Sequence, residues 1–584
     1  MGKVKVIFLN SLPSDKSGSC IFYDYNIYRF SNWNIIDISE ICRKHQEEWS
    51  KSLWEWHCNL TSAAAIYDKF SWLMPGSRIH LWQTYVKTII FCLGLKIYLE
   101  SSKEKELFIV GAPEEAVLFL QDFSDVSFYV QNKIHNSFFS CFIKLNQIYY
   151  ERLKNIGSVF FRWRPFATSN KFNFDIDIMV FSLYLCNKDI KFYNDHFFGK
   201  VFESLNNRIF WLYKPTGRFN ESSAKKSLSK LNDKYEFDYN LLKIWDLIWC
   251  FKNSFIVNKQ MRKFKKKLPI LKISNKYCNS FSIKYFEKHF IDPICFSELS
   301  LFRSTQSLLR YLKPNVICFP YEEKGLERAI ILAAKSCLPN IKVVGFAHSA
   351  YNSAWLYLGE HNQFPSLPRP DIIWAAGNGF NSWLQNFWKR FDPVVNIGTH
   401  RYLISPHKIS KSNFDSKLHI LIVVGDPSEL YVFRDWLVNF PKLLKNCFVT
   451  IRPHPQGWHA ENLRIGNELK KFGINRIDNK SELINQLDLA DLVLYCSSSA
   501  VVEAIQNGNF VARVTWDELW CADPLRYGSN HIRNCNTPQQ LNDLINEVVS
   551  MPPKDLLNLK KNQRQLADSI YSKFNPTEFN KLFD

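Results

Sequence analysis

The chain has 584 residues, which at roughly 150 residues per domain leaves room for two large domains or three to four small ones, and for a sizeable core. Its 74 Lys+Arg against 55 Asp+Glu give a net charge of +19, while 46% hydrophobic and 16% aromatic content is far too apolar for a disordered polycation. A folded protein with a basic surface follows, and such surfaces meet polyanions: nucleic acid, anionic lipid, a nucleotide-linked donor or an acidic glycan.

The chain begins with a short apolar run at 4–9 that reads as a first strand, because it is too short for a signal-peptide core. The longest apolar run, 88–99, includes Lys96 and falls well below the ~20 residues that cross a bilayer, so no spanning segment is expected. The 15 cysteines contain no Cys-x-x-Cys pair, which predicts reduced, mostly buried thiols in a cytoplasmic protein rather than a zinc site.

Further strands are predicted at 107–110, before Gly111-Ala112-Pro113-Glu114-Glu115, and at 176–185. The lysine-rich stretch 214–276 breaks this rhythm and reads in part as a basic insertion. Within it Arg262, Lys263, Lys265, Lys266 and Lys267 are interleaved with Met261, Phe264 and Leu268. That pattern suits either a solvated helix face or contact with an anionic membrane surface or acidic glycan. After 313 the pattern sharpens into a strand at 315–319, a helix at 325–335 and strands at 342–346, 371–375 and 394–398. Residues 405–417 have linker composition. A second series follows with strands at 418–424, 448–451, 492–495 and 510–514. Strands alternating with helices predict an α/β fold of two Rossmann-like domains, 1–410 and 411–584, with a ligand in the cleft at the carboxyl ends of their strands.

Two segments of the second series carry candidate chemistry. In 450–456, His454 stands between Pro453 and Pro455 at a strand end, where a stiff backbone presents the imidazole, and Arg452 offers a forked donor to phosphate; the plain alternative is a polar turn. In 491–505 an apolar strand runs into Ser497, Ser498 and Ser499 and then a helical pattern, gathering hydroxyls and backbone N–H groups as a phosphate cradle would. Glu503, a turn later, is placed to accept from ribose hydroxyls; read alone, the serines would be only an N-cap.

His454-Pro455 followed some forty residues later by Ser497-Ser498-Ser499 resembles the bacterial GT-B glycosyltransferases that use CMP-activated sialic acid, Kdo and related ulosonic acids. The resemblance covers the C-terminal domain and, in outline, 315–398. It implies a GT-B enzyme that moves an ulosonic acid from a CMP donor to a sugar hydroxyl in surface polysaccharide biosynthesis, such as capsule or lipopolysaccharide. In those families the His-Pro and serine motifs hold the nucleotide phosphate, and an acid-acid-Gly signature supplies the general base. Here Glu322 and Glu323 precede Lys324 and Gly325, so a lysine interrupts the signature; Glu327 is a further candidate and His348, after the next strand, a reserve. Gly377 and Gly379 fall near the same strand ends.

A teichoic-acid-type polymerase using CDP-glycerol is the nearest rival, but its catalytic His precedes Gly-Thr, whereas His348 precedes Ser349-Ala350. A non-catalytic polyanion- or RNA-binding protein finds no RNP-like, KH-like or zinc pattern, and the dispersed aromatics read as core. The expected partners are a CMP-activated donor and a glycan or glycolipid acceptor, with no nucleic acid. No Asp-x-Asp motif stands beside these elements, so neither metal nor cofactor is expected. The expected location is cytoplasmic, peripheral to the inner face of the cell membrane.

Overall fold

The computed structural model describes residues 4–7, 18–22, 33–35, 38–74, 82–101, 106–110, 114–123, 127–131, 138–160, 175–185, 195, 197–199, 201–205, 207–216, 221–229, 234–273, 276–322, 324–348, 368–379, 393–400, 417–425, 429–430, 433, 436–437, 447–453, 476–478, 481–515, 523–525 and 531–583. Three parallel sheets carry the fold. The first joins β1 (Val4–Ile7), β2 (Gly18–Phe22), β3 (Trp33–Ile35), β4 (Glu106–Val110) and β5 (Ser127–Gln131) in the order β3-β2-β1-β4-β5. The second contains β6 (Ile178–Leu185), β7 (Ile209–Thr216) and β8 (Lys234–Phe237). After an antiparallel hairpin of β9 (Leu271–Ile273) and β10 (Lys276–Cys278), it continues with β11 (Val316–Pro320), β12 (Lys342–Ala347), β13 (Ile372–Ala375) and β14 (Val394–Asn396). Its order is β14-β13-β12-β11-β6-β7-β8. The third joins β15 (Leu418–Val423), β16 (Cys447–Arg452), β17 (Arg476–Ile477), β18 (Leu492–Tyr495), β19 (Phe510–Val514) and β20 (Arg533–Cys535) in the order β17-β16-β15-β18-β19-β20.

Each sheet winds outward from its first strand, then returns to the other side of that strand and winds the opposite way. This is the Rossmann pattern, and it opens a crevice where the winding reverses: between β6 and β11 in the second sheet, and between β15 and β18 in the third. Parallel strands covered on both faces must be apolar throughout, and β11, β18 and β19 are buried at every position.

The α/β class with Rossmann-like parallel sheets is as expected, and the two strand series read from the sequence are the second and third sheets. Among the described residues, 1–410 hold two parallel sheets and the small hairpin. Within 214–276, β8 pairs with β7 (Phe210↔Lys234 to Tyr213↔Phe237), so part of this stretch extends the second sheet. Its lysines disguise an edge strand whose burial rises only toward Phe237. The expected linker lies outside the described residues apart from Lys417.

The end of the chain ties the third sheet to the second. In helix Pro553–Ile570 the Gln563 amide pairs with the Val511 backbone in both directions, at 2.9 Å each way. Beyond it the strand ends of the second sheet take over: Ser572 N–H donates to Ala376 O (3.0 Å), Thr399 N–H to Ser572 O (2.9 Å) and Asn575 N–H to Ile397 O (2.8 Å). Phe574 and Phe579 pack on Trp374 with ring centroids 5.9 and 5.3 Å away. Two glycines permit the approach. A Cβ on Gly377 would lie 2.1 Å from Ile570 O, and one on Gly398, at φ +78°, would lie 2.3 Å from Lys573 O. Gly379 likewise meets Ile570 Cα, so these glycines seat the returning chain.

Candidate functional site

In the second sheet the chain leaves β11 through buried Tyr321 and enters helix Gly325–Cys337. The junction is closed by Glu327, whose carboxylate accepts the N–H groups of Glu322 (2.8 Å) and Lys324 (3.1 Å). Glu327 is thus a buried staple for the turn and the helix start. The same helix start is fixed from below: Arg328 Nη1 donates to Trp72 O (3.4 Å), its guanidinium covers the Trp72 ring at 5.5 Å, and a Cβ on Gly325 would meet Leu73 O at 2.9 Å.

This frame holds Glu322 against His348. One carboxylate oxygen, Oε1, lies 3.1 Å from His348 Nε2, and the other pairs with Lys324 Nζ. His348 follows β12 directly, and β12 is the register partner of β11 (Pro320↔Phe346), so the two side chains meet across neighbouring strand ends. Phe197 packs edge-on against the imidazole at 4.7 Å, and is itself set by Asp195 Oδ1, which accepts the N–H groups of Phe197 and Phe198 at 2.9 Å. Asp195 to Phe198 follow β6 in sequence, so the carboxylate–imidazole pair, at the ends of β11 and β12, borders the winding reversal between β6 and β11 and is touched from it by Phe197. His348 is 5% exposed and Glu322 15% by side chain, which excludes most water from their contact. Glu323 lies outside the described residues.

In the third sheet the reversal falls between β15 and β18, whose ends are level (Val423↔Tyr495). There Gly425 meets the serine loop so closely that a Cβ would lie 2.5 Å from Ser497 Oγ and 2.9 Å from Ser498 N. Buried Glu429 joins the two strand ends: one oxygen accepts the Gly425 N–H (2.8 Å) and the other the Ser497 hydroxyl. Beneath the loop, Arg513 Nε donates to Cys496 O (3.1 Å) and lies 3.5 Å from Asp523 Oδ2, while Tyr495 OH donates to Asp523 Oδ1 (3.2 Å). A buried ion pair therefore pins the carbonyl just before the serines. Ser499 precedes helix Ala500–Gln506 without a side-chain cap bond.

Arg452 closes β16 at this same end. Its Nη1 donates to Ser481 O (2.7 Å) and Gln486 Oε1 (2.9 Å). Burial pulls the guanidinium below its ordinary range, opposed by the charges of Glu503 and Asp478. Arg452 is thus close enough to Glu503 to feel its charge, while one arm of its fork is taken by the 478–486 turn. His454 and Pro455 lie outside the described residues.

The sequence reading missed Glu429, Arg513 and Asp523. Arg513, the one charge in the otherwise apolar strand Phe-Val-Ala-Arg-Val, was the visible signal, since a lone buried charge demands a partner. Among the described residues no group of three or more His, Cys, Asp or Glu could hold a metal ion. The described cysteines are free thiols, nearly all buried, and burial pushes Cys447 and Cys535 up to about 11. No helix among the described residues is long and apolar enough to cross a membrane.

By sequence the chain matches no family model and none of the curated proteins. It is similar in structure to UDP-GlcNAc 2-epimerase from Neisseria meningitidis bound to UDP-GlcNAc, at 12% identity and TM-score 0.41 over 69% of this chain and 99% of that one. Acinetobacter baumannii MurG is similar at 15% identity and TM-score 0.35, over 69% and 98%. The Streptomyces sp. SF2575 glycosyltransferase SsfS6, complexed with thymidine diphosphate, is similar at 10% identity and TM-score 0.34, over 70% and 99%.

Proposed function

We propose that this protein is a GT-B glycosyltransferase that moves a nucleotide-activated sugar to a sugar hydroxyl, with a CMP-linked ulosonic acid as the donor and a surface polysaccharide as the product. The observation that supports this reading is that two winding reversals, the places where open α/β sheets bind ligands, each carry fitting chemistry. The third sheet takes the nucleotide. Ser498, Ser499 and their backbone N–H groups, with His454 and Arg452, supply fixed donors to the phosphate whose charge grows as the nucleotide departs.

The second sheet takes the acceptor. His348 removes the proton of the attacking hydroxyl, and Glu322 orients the imidazole through Nε2, since both carboxylate oxygens are already engaged. Lys324, which interrupts the acid-acid-Gly pattern, holds the orienting carboxylate in place. In this reading His348 is the base and Glu322 its positioning partner, and Glu323→Gln, which should then retain turnover, tests the other glutamate of the signature.

Thermal shift with CMP, CDP, UDP and GDP tests the donor. CMP at about 100 Kd adds ~2.7 kcal/mol of stability, and Ser498→Ala/Ser499→Ala or His454→Ala removes the shift. Stabilisation by UDP or GDP and none by CMP overturns the ulosonic assignment; no shift with any nucleotide overturns the transferase reading. With donor in hand, His348→Ala lowers turnover by ~10²–10⁴ and leaves nucleotide affinity unchanged.

A further inference from the structure

Helix Ile244–Phe264 lies on the surface the wrong way round for a protein bathed only in water. Its 21 residues make a rod of about 31 Å. The inner face buries Leu247, Cys250, Val257, Met261 and Phe264. The outer face should then be polar. Instead it exposes Ile244, Trp245, Ile248, Phe251, Phe255 and Ile256, with Trp245 at 74%. At 100° per residue these fall within one arc of about 140°. Lys252, Lys259, Arg262 and Lys263 are exposed along the same arc. The helix's one acidic residue, Asp246, faces inward, where its Oδ1 takes Arg303 Nε at 2.8 Å and Nη2 at 2.6 Å.

The chemistry is graded along the rod. The apolar side chains, with Lys252 among them, occupy about its first three and a half turns, and the other cations gather in its last two and run on through exposed Lys266 and Lys267. Lys265, expected among them, is turned aside into an ion pair with Glu287. The cationic end adjoins helix Phe138–Phe160: Arg152 donates to Asp292 O (2.6 Å) and Ile291 O (2.9 Å) and is close enough to Arg262 for their charges to repel. Around it that helix exposes Tyr149, Tyr150 and Leu153.

We propose that this face seats the protein on a membrane rich in anionic phospholipid. The helix lies in the plane of the interface, its aromatic strip among the upper acyl chains and its cationic end against phosphate headgroups. An exposed apolar strip of this size marks an interaction surface. Helix Ile244–Phe264 turns only cations outward, and the exposed Glu151 of the neighbouring helix is paired with Lys154, so the face selects an anionic occupant, and aromatic rings beside lysines suit the boundary between headgroup and hydrocarbon. The assignment is independent of the sugar chemistry proposed above.

Co-sedimentation of the full-length protein with phosphatidylcholine vesicles, with and without phosphatidylglycerol, tests it. The protein binds the phosphatidylglycerol vesicles, and raising the salt to 1 M, where the screening length falls to about 3 Å, weakens the binding. Lys259→Gln/Arg262→Gln lowers affinity about 25-fold, at roughly fivefold per cation, and flattens the salt dependence. Phe251→Ser/Phe255→Ser lowers it at least about tenfold and leaves the salt dependence intact. Because all four side chains are exposed, thermal unfolding of both variants stays at the wild-type value, which separates lost binding from lost fold. Wild-type binding by both variants, or no preference for phosphatidylglycerol, overturns the proposal. So does a wild-type dimer that Phe251→Ser/Phe255→Ser turns into a monomer, because the strip is then covered by a second copy.

Discussion

Buried His289 makes the stability of its surroundings depend on pH to an extent that follows from its environment. It lies in the turn Glu287–Ile291, 5% exposed, with its ring 4.7 Å from that of Tyr285. Burial, reinforced by the charges of Lys288 and His57, lowers its pKa to about 3, against about 6.5 in an unfolded chain. A histidine lowered in the folded state leaves the unfolded chain binding more protons between these values. Its contribution is therefore complete above pH 6.5 and is lost as pH falls. From pH 7 to pH 5 the unfolded imidazole gains about 1.4 pH units of proton affinity that the folded one does not share, which at 1.36 kcal/mol per unit is about 2 kcal/mol. Any folded value below about 4 gives nearly the same figure, because only the unfolded chain titrates in this window. The perturbation is His289→Gln, which cannot titrate. Hydrogen exchange of helix Asn279–Phe286, corrected for intrinsic rates at each pH, reads the local opening energy in a chain whose three sheets need not unfold in one step. The wild-type value should fall by about 2 kcal/mol more than the variant's over the interval. Equal losses in both would refute the assignment of the proton to His289.

Gly377→Ala forces a Cβ to 2.1 Å from Ile570 O; it should cost at least about 1–3 kcal/mol and open 571–583 to protease before the third sheet unfolds. Glu327→Ala leaves the N–H groups of Glu322 and Lys324 without their acceptor and should lower stability by about 2 kcal/mol. Glu327→Gln keeps an acceptor and should retain turnover; a wholly inactive but stable Gln variant would return Glu327 to the list of bases. Glu429→Ala, measured by titration with nucleotide, should weaken affinity about tenfold or more through the loosened serine loop, with the acceptor KM unchanged. Glu322→Gln should lower turnover and leave nucleotide affinity unchanged, because the imidazole loses the carboxylate that holds it; wild-type turnover would mean that Glu322 does not position His348.

Much of the second and third sheets was legible because parallel strands buried on both faces are continuous apolar runs, as at 315–319 and 492–495. Of the first sheet, β1 and β4 were legible as the apolar runs 4–9 and 107–110, whereas β2 and β3, of five and three residues, are too short to show a period. The serine loop could be read because its residues are consecutive. Glu429 could not, because it reaches Ser497 from beyond the end of the neighbouring strand β15, 68 residues away in sequence. Lys324 read as a defect in an acidic motif, yet its ammonium meets Glu322 and its backbone begins the helix. The dispersed aromatics were read as core, and Trp374, Phe346 and Phe198 are. Trp245, Phe251 and Phe255 are exposed instead; helix Ile244–Phe264 is apolar on both faces, so composition alone cannot say which one looks outward.

The return of residues 571–583 to the second sheet puts synthesis and folding out of step. β14 ends at Asn396, but the peptide groups that dock against its end begin at Ser572, about 175 residues later. At 5–20 residues per second, a ribosome needs roughly 9–35 s to make them. During that interval Trp374 lacks the cover of Phe574 and Phe579, and the strand ends at Ala376 and Ile397 lack their last partners. The nascent second sheet is therefore held open until residues 572–579 have been made. Any product released before residue 571 presents that uncovered tryptophan to chaperones and proteases as the mark of an unfinished chain.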